Sequence, residues 1–355
     1  MRVKAILRRK LEKQKVDGIL ITDLLNVKYL TGFTGSAGYS IITGNNALFI
    51  TDFRYQEQAK SEVKGFEIVI ECGERSKEIR GLIEELGIKK LGFEDHHVTY
   101  GFYKKLLKKK IRLKPLTETV ESLRIVKSPI EIDCIKRAVK RAERAFRKLQ
   151  PHIKAGVTEK ALALRLEELL KGEGCNRLPF EIIVASGPTG ALPHAKPTNR
   201  VLKRGDLVVF DWGGEYKGYF SDMTRTVLIS GKDMSRQKEI YEIVLEAQRK
   251  AIESVRSNIK ATEIDSGARN YIKEKDCGEY FGHGTGHGVG LAVHEKPYIS
   301  WRSKDVIKEN MVFTIEPGIY LPGFGGVRIE DMVVAKKDGY ELLTGLPKNP
   351  NAMIV

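Results

Sequence analysis

The sequence predicts a two-domain α+β protein, in which a small α/β unit leads into a larger unit that carries one motif twice. Three observations predict it. The chain has 355 residues and 41% apolar content, enough for two cores and too long for one ordinary domain. Up to about residue 120, short apolar runs alternate with charged helical stretches. Beyond that point the sequence repeats itself at a nearly constant offset.

The first domain is placed at residues 1–121. GILIT, YSIITG, NALFIT, FEIVIE and KKLGFE read as strands, while Ile6–Lys15, Tyr55–Ser61, Lys77–Leu86 and Tyr100–Leu107 read as helices. This alternation argues a small α/β fold. TGFTGSAG (Thr31–Gly38) lacks GxGxxG and GK[ST], so it reads as a conformationally demanding loop rather than a phosphate cradle. Ser128-Pro129 opens a long helix, with Ser as N-cap and Pro at the first helical position.

The second domain, residues 122–355, contains the repeat. Long helices over Ile130–Leu149 and Arg236–Val255 are each followed by a turn into another helix. GVTEKALALRLEEL begins the first of these and KATEIDSGARNYIK the second, 104 residues later. Each half then ends in an acidic hairpin: Asp211 and Glu316 are 105 residues apart, Asp222 and Glu330 108 apart. Landmarks at one offset indicate two fused copies of a helix–helix–strand unit. A pseudo-twofold would bring the hairpins together across one sheet and make the carboxylates converge.

That convergence carries chemistry. An ionised carboxylate on a mostly apolar strand costs several kcal/mol unless it is paired or binds a metal, and four of them repel one another. A pair of divalent cations is the partner that fits, and two bridged metals are a hydrolytic device. Strand alternation puts Asp222 on the face of Phe220, Thr224 and Thr226, and Asp211 on that of Val209 and Leu207. Arg328, two residues before Glu330, faces the same way as Glu330 and suits a substrate carboxylate. Histidine is scarce, with seven in the chain, yet His283, His287 and His294 fall within FGHGTGHGVGLAVHEKP, and His194 lies in ASGPTGALPHAKP. Glycines flank His287, an arrangement that lets backbone approach a metal closely.

Composition excludes other classes. No apolar run reaches the ~18 residues of a membrane helix, and the basic start MRVKAILRRKLEKQK lacks the apolar stretch of a signal peptide. Cys72, Cys134, Cys175 and Cys277 form no CxxC, which fits a reduced cytoplasm and no thiolate zinc site. Between Tyr103 and Lys148 stand sixteen Lys or Arg and five acids, much of the net charge of +15. With helical spacing and no aromatic stacking pattern, this reads as a solvated face rather than a nucleic-acid patch.

SGPTGALPHA, VFDWGGEYKGYFSDMTRT, GHGTGHGVGLAVHE, TIEPGIY and VRIED together resemble the motif series of the pita-bread metallopeptidases, the family of prolidases, aminopeptidase P, methionine aminopeptidases and creatinase. YLTGFTGSAGYSIIT and LFITDFRY resemble the extra N-terminal domain of its proline-specific branch. The resemblance implies a pseudo-symmetric curved antiparallel sheet backed by two helix pairs. It implies that Asp211 chelates one metal, His287 and Glu316 the other, and that Asp222 and Glu330 bridge them. The seven-residue spacing of His287 and His294 matches the family and selects His287 over His283 as ligand. Oxygen-rich ligation with one imidazole favours Mn²⁺ or Co²⁺, with Fe²⁺ or Zn²⁺ as substitutes.

By the same resemblance Glu316 shuttles a proton, His294 stabilises the oxyanion, His194 steadies the substrate, and His283 and Arg328 line the proline side. The implied activity is cleavage between an N-terminal residue and a following proline. TGFTGSAG and TDFRY incline it to aminopeptidase P, and a prolidase restricted to Xaa-Pro dipeptides is the alternative. Other pita-bread hydrolysis, or a non-catalytic binding module, are lesser readings. Peptides with proline in second position are the expected partners, and a homodimer the expected state.

Overall fold

The computed structural model describes residues 2–107 and 111–355. Lys108, Lys109 and Lys110 of the basic stretch lie outside the described residues. The chain divides into two compact units, Met1–Arg124 and Ile125–Val355.

In the first unit six strands among the described residues form one mixed sheet: β1 (Gly18–Ile21), β2 (Tyr39–Thr43), β3 (Ala47–Asp52), β4 (Glu67–Glu71), β5 (Lys90–Glu94) and β6 (Arg112–Leu116). Their order is β4-β3-β2-β1-β5-β6. Side chains alternate between two cores. Ile19, Ile21, Ile42 and Phe49 enter one, and Leu20, Ile41, Leu48 and Ile50 the other, as a sheet buried on both faces requires. The helices α1 (Arg2–Gln14), α2 (Leu24–Thr31), α3 (Gln56–Glu62), α4 (Arg75–Glu85) and α5 (Tyr100–Leu106) fall close to the expected spans, except that α2 was not expected. Asp23 caps it, accepting from Leu25 N at 2.8 Å, and Gly32 at φ 86° ends it. β6, whose sequence RLKPL carries a proline, was also unexpected. The strand lies at the sheet edge, where Pro115 costs no ladder bond.

The second unit opens, after the short helix α6 (Glu121–Arg124) that closes the first, with α7 (Pro129–Leu149). Ser128 Oγ accepts from Glu131 N, and Glu131 Oε2 accepts from Ser128 N at 2.8 Å, a reciprocal cap. α7 packs on α8 (Glu159–Gly172), and α9 (Ser235–Ser254) on α10 (Ala261–Glu274). Basic residues along α7 have acidic partners: Arg137 with Asp133, Arg147 with Glu143, and both Arg144 and Lys148 with Glu173.

Both halves share a strand plan. β7 (Ile183–Ser186) pairs with β8 (Leu207–Trp212), and β8 with β11 (Met223–Leu228); the small hairpin β9 (Glu215–Tyr216) and β10 (Tyr219–Phe220) is inserted between β8 and β11. In the second half β12 (Gly286–Gly288), β13 (Glu295–Ile299), β14 (Val312–Ile315), β17 (Asp331–Lys336) and β18 (Gly339–Leu342) form one ladder. There β15 (Gly318–Leu321) and β16 (Gly325–Arg328) are the inserted hairpin. The expected single sheet is thus several ladders, stitched where Glu330 N donates to Thr224 O at 3.1 Å. Breaks in regular pairing at such points let twisted strands bend into a curved surface.

Candidate metal centre

Asp222 and Glu330 sit at equivalent places in their halves, and Asp211 and Glu316 at neighbouring but not equivalent ones. Asp211 is the penultimate residue of β8, and Glu316 follows β14 directly; Asp222 and Glu330 each immediately precede the return strand. Helix-to-strand ties hold these positions. Trp212 Nε1 donates to Ala142 O of α7 at 3.1 Å and its ring stacks on Phe146 at 4.3 Å. Since neighbours alternate faces, Asp211 then points away from that helix. In the other half Gln248 of α9 reaches Ile315 O at 3.2 Å, Ile329 O at 3.1 Å and Asp331 Oδ2 at 3.1 Å. It fixes the residues preceding both glutamates. Arg225, fully buried, donates to Glu330 O at 2.7 Å and Asp331 Oδ1 at 2.7 Å. Gln248, Arg225 and Asp331 were not singled out in the sequence, since neither charge pattern nor spacing marks them as partners.

The expected ligand residues do come together. Donor atoms of Asp211, Asp222 and Glu330 lie within 4.8 Å of one another, as do those of His287, Glu316 and Glu330, and those of Asp222, His287 and His294. Glu330, Asp222 and His287 belong to two groups each, and of these the two carboxylates have a second oxygen with which to touch a second ion. His287 Nδ1 lies 3.2 Å from the Gly288 carbonyl oxygen, a contact that is a hydrogen bond when Nδ1 carries the proton. Nε2 then presents its lone pair toward Glu316 Oε1 at 3.3 Å and Asp222 Oδ2 at 3.6 Å. A carbonyl that fixes the tautomer is the usual support of a ligating imidazole. The flanking glycines serve another purpose than the expected approach of backbone to metal. A Cβ at Gly286 would lie 1.9 Å from Thr314 O, and one at Gly288 2.2 Å from Lys296 O, so they admit neighbouring strands.

The electrostatics call for cations. Burial pushes the Asp222 carboxyl well above its ordinary value, and Asp211 and Glu316 push it further. Glu330 is driven well up by burial, then by Asp222 and Glu316. Burial also raises Asp211, against the pull of Arg328. Protons or metal ions can relieve this repulsion, and the two compete. Asp211 Oδ1 is buried without a hydrogen-bond partner, an orphaned acceptor that a ligated cation would satisfy. Oxygen donors with one imidazole suit a first-row divalent ion.

The remaining expected residues line a cavity of about 590 Å³ together with the acids: His194, His283, His294 and Arg328. The His294 ring centroid is 4.2 Å from that of His287, and burial lowers its pKa, as does His287. His194 is exposed at the wall. His283 Nε2 lies 2.9 Å from Tyr320 Oη, and its pKa is lowered, chiefly by burial. Arg328 is buried, donating to Asp211 Oδ2 at 2.6 Å, Tyr320 Oη at 3.0 Å, Pro193 O at 3.2 Å and Thr224 Oγ1 at 3.1 Å. Tyr320 was missed, although it lies within TIEPGIY; only the fold shows that its phenol links His283 to Arg328. One alternation argument spans a break. Phe220 belongs to the inserted β9–β10 hairpin and to the apolar core, whereas Thr224 does meet the site, donating to Glu330 Oε2 at 2.8 Å.

Comparison with known proteins agrees with this geometry. Residues 133–337 match Metallopeptidase family M24, and residues 2–126 match the Creatinase/Prolidase N-terminal domain. An Xaa-Pro dipeptidase of Pyrococcus horikoshii is 43% identical over 338 residues, 94% of each chain. The structure of Xaa-Pro dipeptidase from Bacillus anthracis matches at TM-score 0.96 and 42% identity, covering 100% of this chain and 99% of that one. The X-Pro aminopeptidase from Thermotoga maritima matches at TM-score 0.90 and 39% identity, covering 98% and 100%. No helix of the described residues is long and apolar enough to cross a membrane. The acid-and-histidine cavity therefore belongs to a member of metallopeptidase family M24 that carries the creatinase/prolidase N-terminal domain.

Proposed function

We propose that this chain is an Xaa-Pro exopeptidase, an aminopeptidase in reaction class, that cleaves the bond between an N-terminal residue and a following proline. The observation that carries the reading is the convergence of Asp211, Asp222, His287, Glu316 and Glu330 on one cavity that His283, Tyr320 and Arg328 also line. In this reading Asp211 would hold one divalent ion, His287 and Glu316 would hold a second, and Asp222 and Glu330 would serve both, with Mn²⁺ or Co²⁺ fitting best. Bound ions of this kind polarise a scissile carbonyl and ready water for attack near neutral pH.

The protein's own groups do the rest. Glu316 takes a proton from the attacking water and delivers it to the leaving nitrogen. His294, held neutral by its surroundings, donates to the oxygen on which negative charge develops. His194, on the cavity wall, steadies the substrate beside the scissile bond. His283 and Arg328, joined through Tyr320, shape the side that receives the proline ring. Proline needs such a site because its nitrogen has no N–H and its ring fixes φ, so a general peptidase cannot grip it. A cytoplasmic homodimer is the setting this reading assumes; all four cysteines are free thiols here.

The experiment is release of alanine from Ala-Pro, Ala-Pro-Ala and Ala-Ala by the metal-loaded protein. Release from the two proline peptides, with Ala-Ala spared, is expected. Equal cleavage of Ala-Ala would sink the proline assignment.

A further inference from the structure

Arg328 is the cation the sequence offers for a substrate carboxylate, but four of its five N–H donors are engaged. Nη2 serves Asp211, Nη1 serves Tyr320 and Pro193, and Nε serves Thr224. A bidentate grip on a substrate would have to break one of these bonds in a buried position, where each lost partner is expensive. A dipeptide Xaa-Pro nevertheless brings a free carboxylate to this cavity, one residue beyond the scissile bond.

Beside Arg328, one further lysine or arginine lines the cavity among the described residues, and that is Lys196. It lies three residues past Pro193, whose carbonyl accepts from Arg328. Its Nζ stands 3.1 Å from Glu181 Oε2, with the two side chains 80% and 65% exposed. Glu181 also lines the cavity and precedes β7, where Ile183 pairs with Asp211. The pair is exposed and lines the same cavity as Arg328 and Asp211. An exposed lysine–carboxylate pair is weak, so Lys196 can exchange Glu181 for another carboxylate at little cost. Its flexible four-carbon stem gives it the reach to do so.

We infer that Lys196 reads the free carboxylate of an Xaa-Pro dipeptide, and that Glu181 is the anion it releases when that substrate enters. The inference rests on the Xaa-Pro reading and deepens it. It makes the choice between dipeptides and longer peptides a matter of charge in the cavity, because a longer peptide presents a neutral amide at the same place.

The test compares Ala-Pro with Ala-Pro-amide, which differ only in that charge, in wild type, Lys196→Ala, Lys196→Glu and Glu181→Gln. The ratio of kcat/KM for acid over amide should fall about five-fold in Lys196→Ala, the scale of one exposed ion pair. It should fall further in Lys196→Glu and rise in Glu181→Gln. The change should appear in KM and fade with added salt. A merely structural role would slow both substrates together and leave the ratio alone, and that result overturns the inference while the Xaa-Pro reading stands. A metal-loaded wild type that cleaves neither substrate overturns the reading itself, and the inference with it.

Discussion

Arg328 Nη2 donates to Asp211 Oδ2 at 2.6 Å, while Asp211 Oδ1 stays buried without a hydrogen-bond partner. One oxygen is thus committed to orientation and the other is left for a ligand. Arg328 acts on the site through Asp211 and Tyr320 as much as by facing substrate. Arg328→Ala should weaken metal retention and lower kcat/KM for Ala-Pro and Ala-Pro-Ala alike, because it leaves Asp211 buried and unpaired. Metal affinity measured by competition with a chelator checks this. Loss confined to the dipeptide, with metal affinity intact, would make Arg328 a substrate clamp instead.

Asp222, Glu330 and His287 are each members of two donor groups, but only the two carboxylates have a second oxygen to offer a second ion. Removing either carboxylate should cost more than removing a residue that can serve one ion. Glu330→Ala and Asp222→Ala should each lose at least one bound metal and nearly all turnover, read by elemental analysis beside peptide cleavage. Full occupancy with wild-type rate in either variant would rule out the shared-ligand arrangement.

Glu316 and His294 should separate by kind of defect. Glu316→Gln keeps an oxygen that can ligate but cannot carry a proton, so kcat should collapse while KM changes little. His294→Ala should lower kcat by roughly 10²–10³, the cost of one oxyanion donor. Raised KM at unchanged kcat would assign His294 to binding.

Asp331 gives a stability prediction. Burial would raise its carboxyl, but Arg225 and Lys348 overcome that and hold it at about 2, against an ordinary 3.8. A depressed folded-state pKa gives stability that is present above the unfolded value and is lost as pH falls through the folded one. The contribution, ~2 kcal/mol, should therefore disappear between about pH 4 and pH 2, as read by denaturant unfolding. Asp331→Asn strands the buried Arg225 and should cost about 3–5 kcal/mol at neutral pH.

The convergence of the acids was legible because it is written in residue types. Asp211, Asp222, Glu316 and Glu330 stand out as acids on apolar strands, and their matched spacing exposes the duplicated half. The supporting side was not legible. Tyr320, Gln248 and Arg225 act through contacts to residues between 8 and 122 positions away, several of them backbone carbonyls that carry no sequence signature. The same limit explains the sheet. Period-two alternation locates strands, but it cannot show that a two-residue strand such as Tyr219–Phe220 pairs locally and leaves the main ladder. In the first unit, the edge strand Arg112–Leu116 carries Pro115, a residue that weakens the strand signal in sequence.

The central claim is that two divalent ions between the hairpins perform the cleavage, and the most direct measurement is titration of chelated protein with Mn²⁺ while alanine release from Ala-Pro is followed. The account predicts two ions bound per chain, with activity appearing as the shared site fills. It also predicts that Glu330→Ala binds fewer ions and stays inactive at saturation. Full activity in the metal-free protein, or a saturating stoichiometry of one ion per chain in the active wild type, would contradict it.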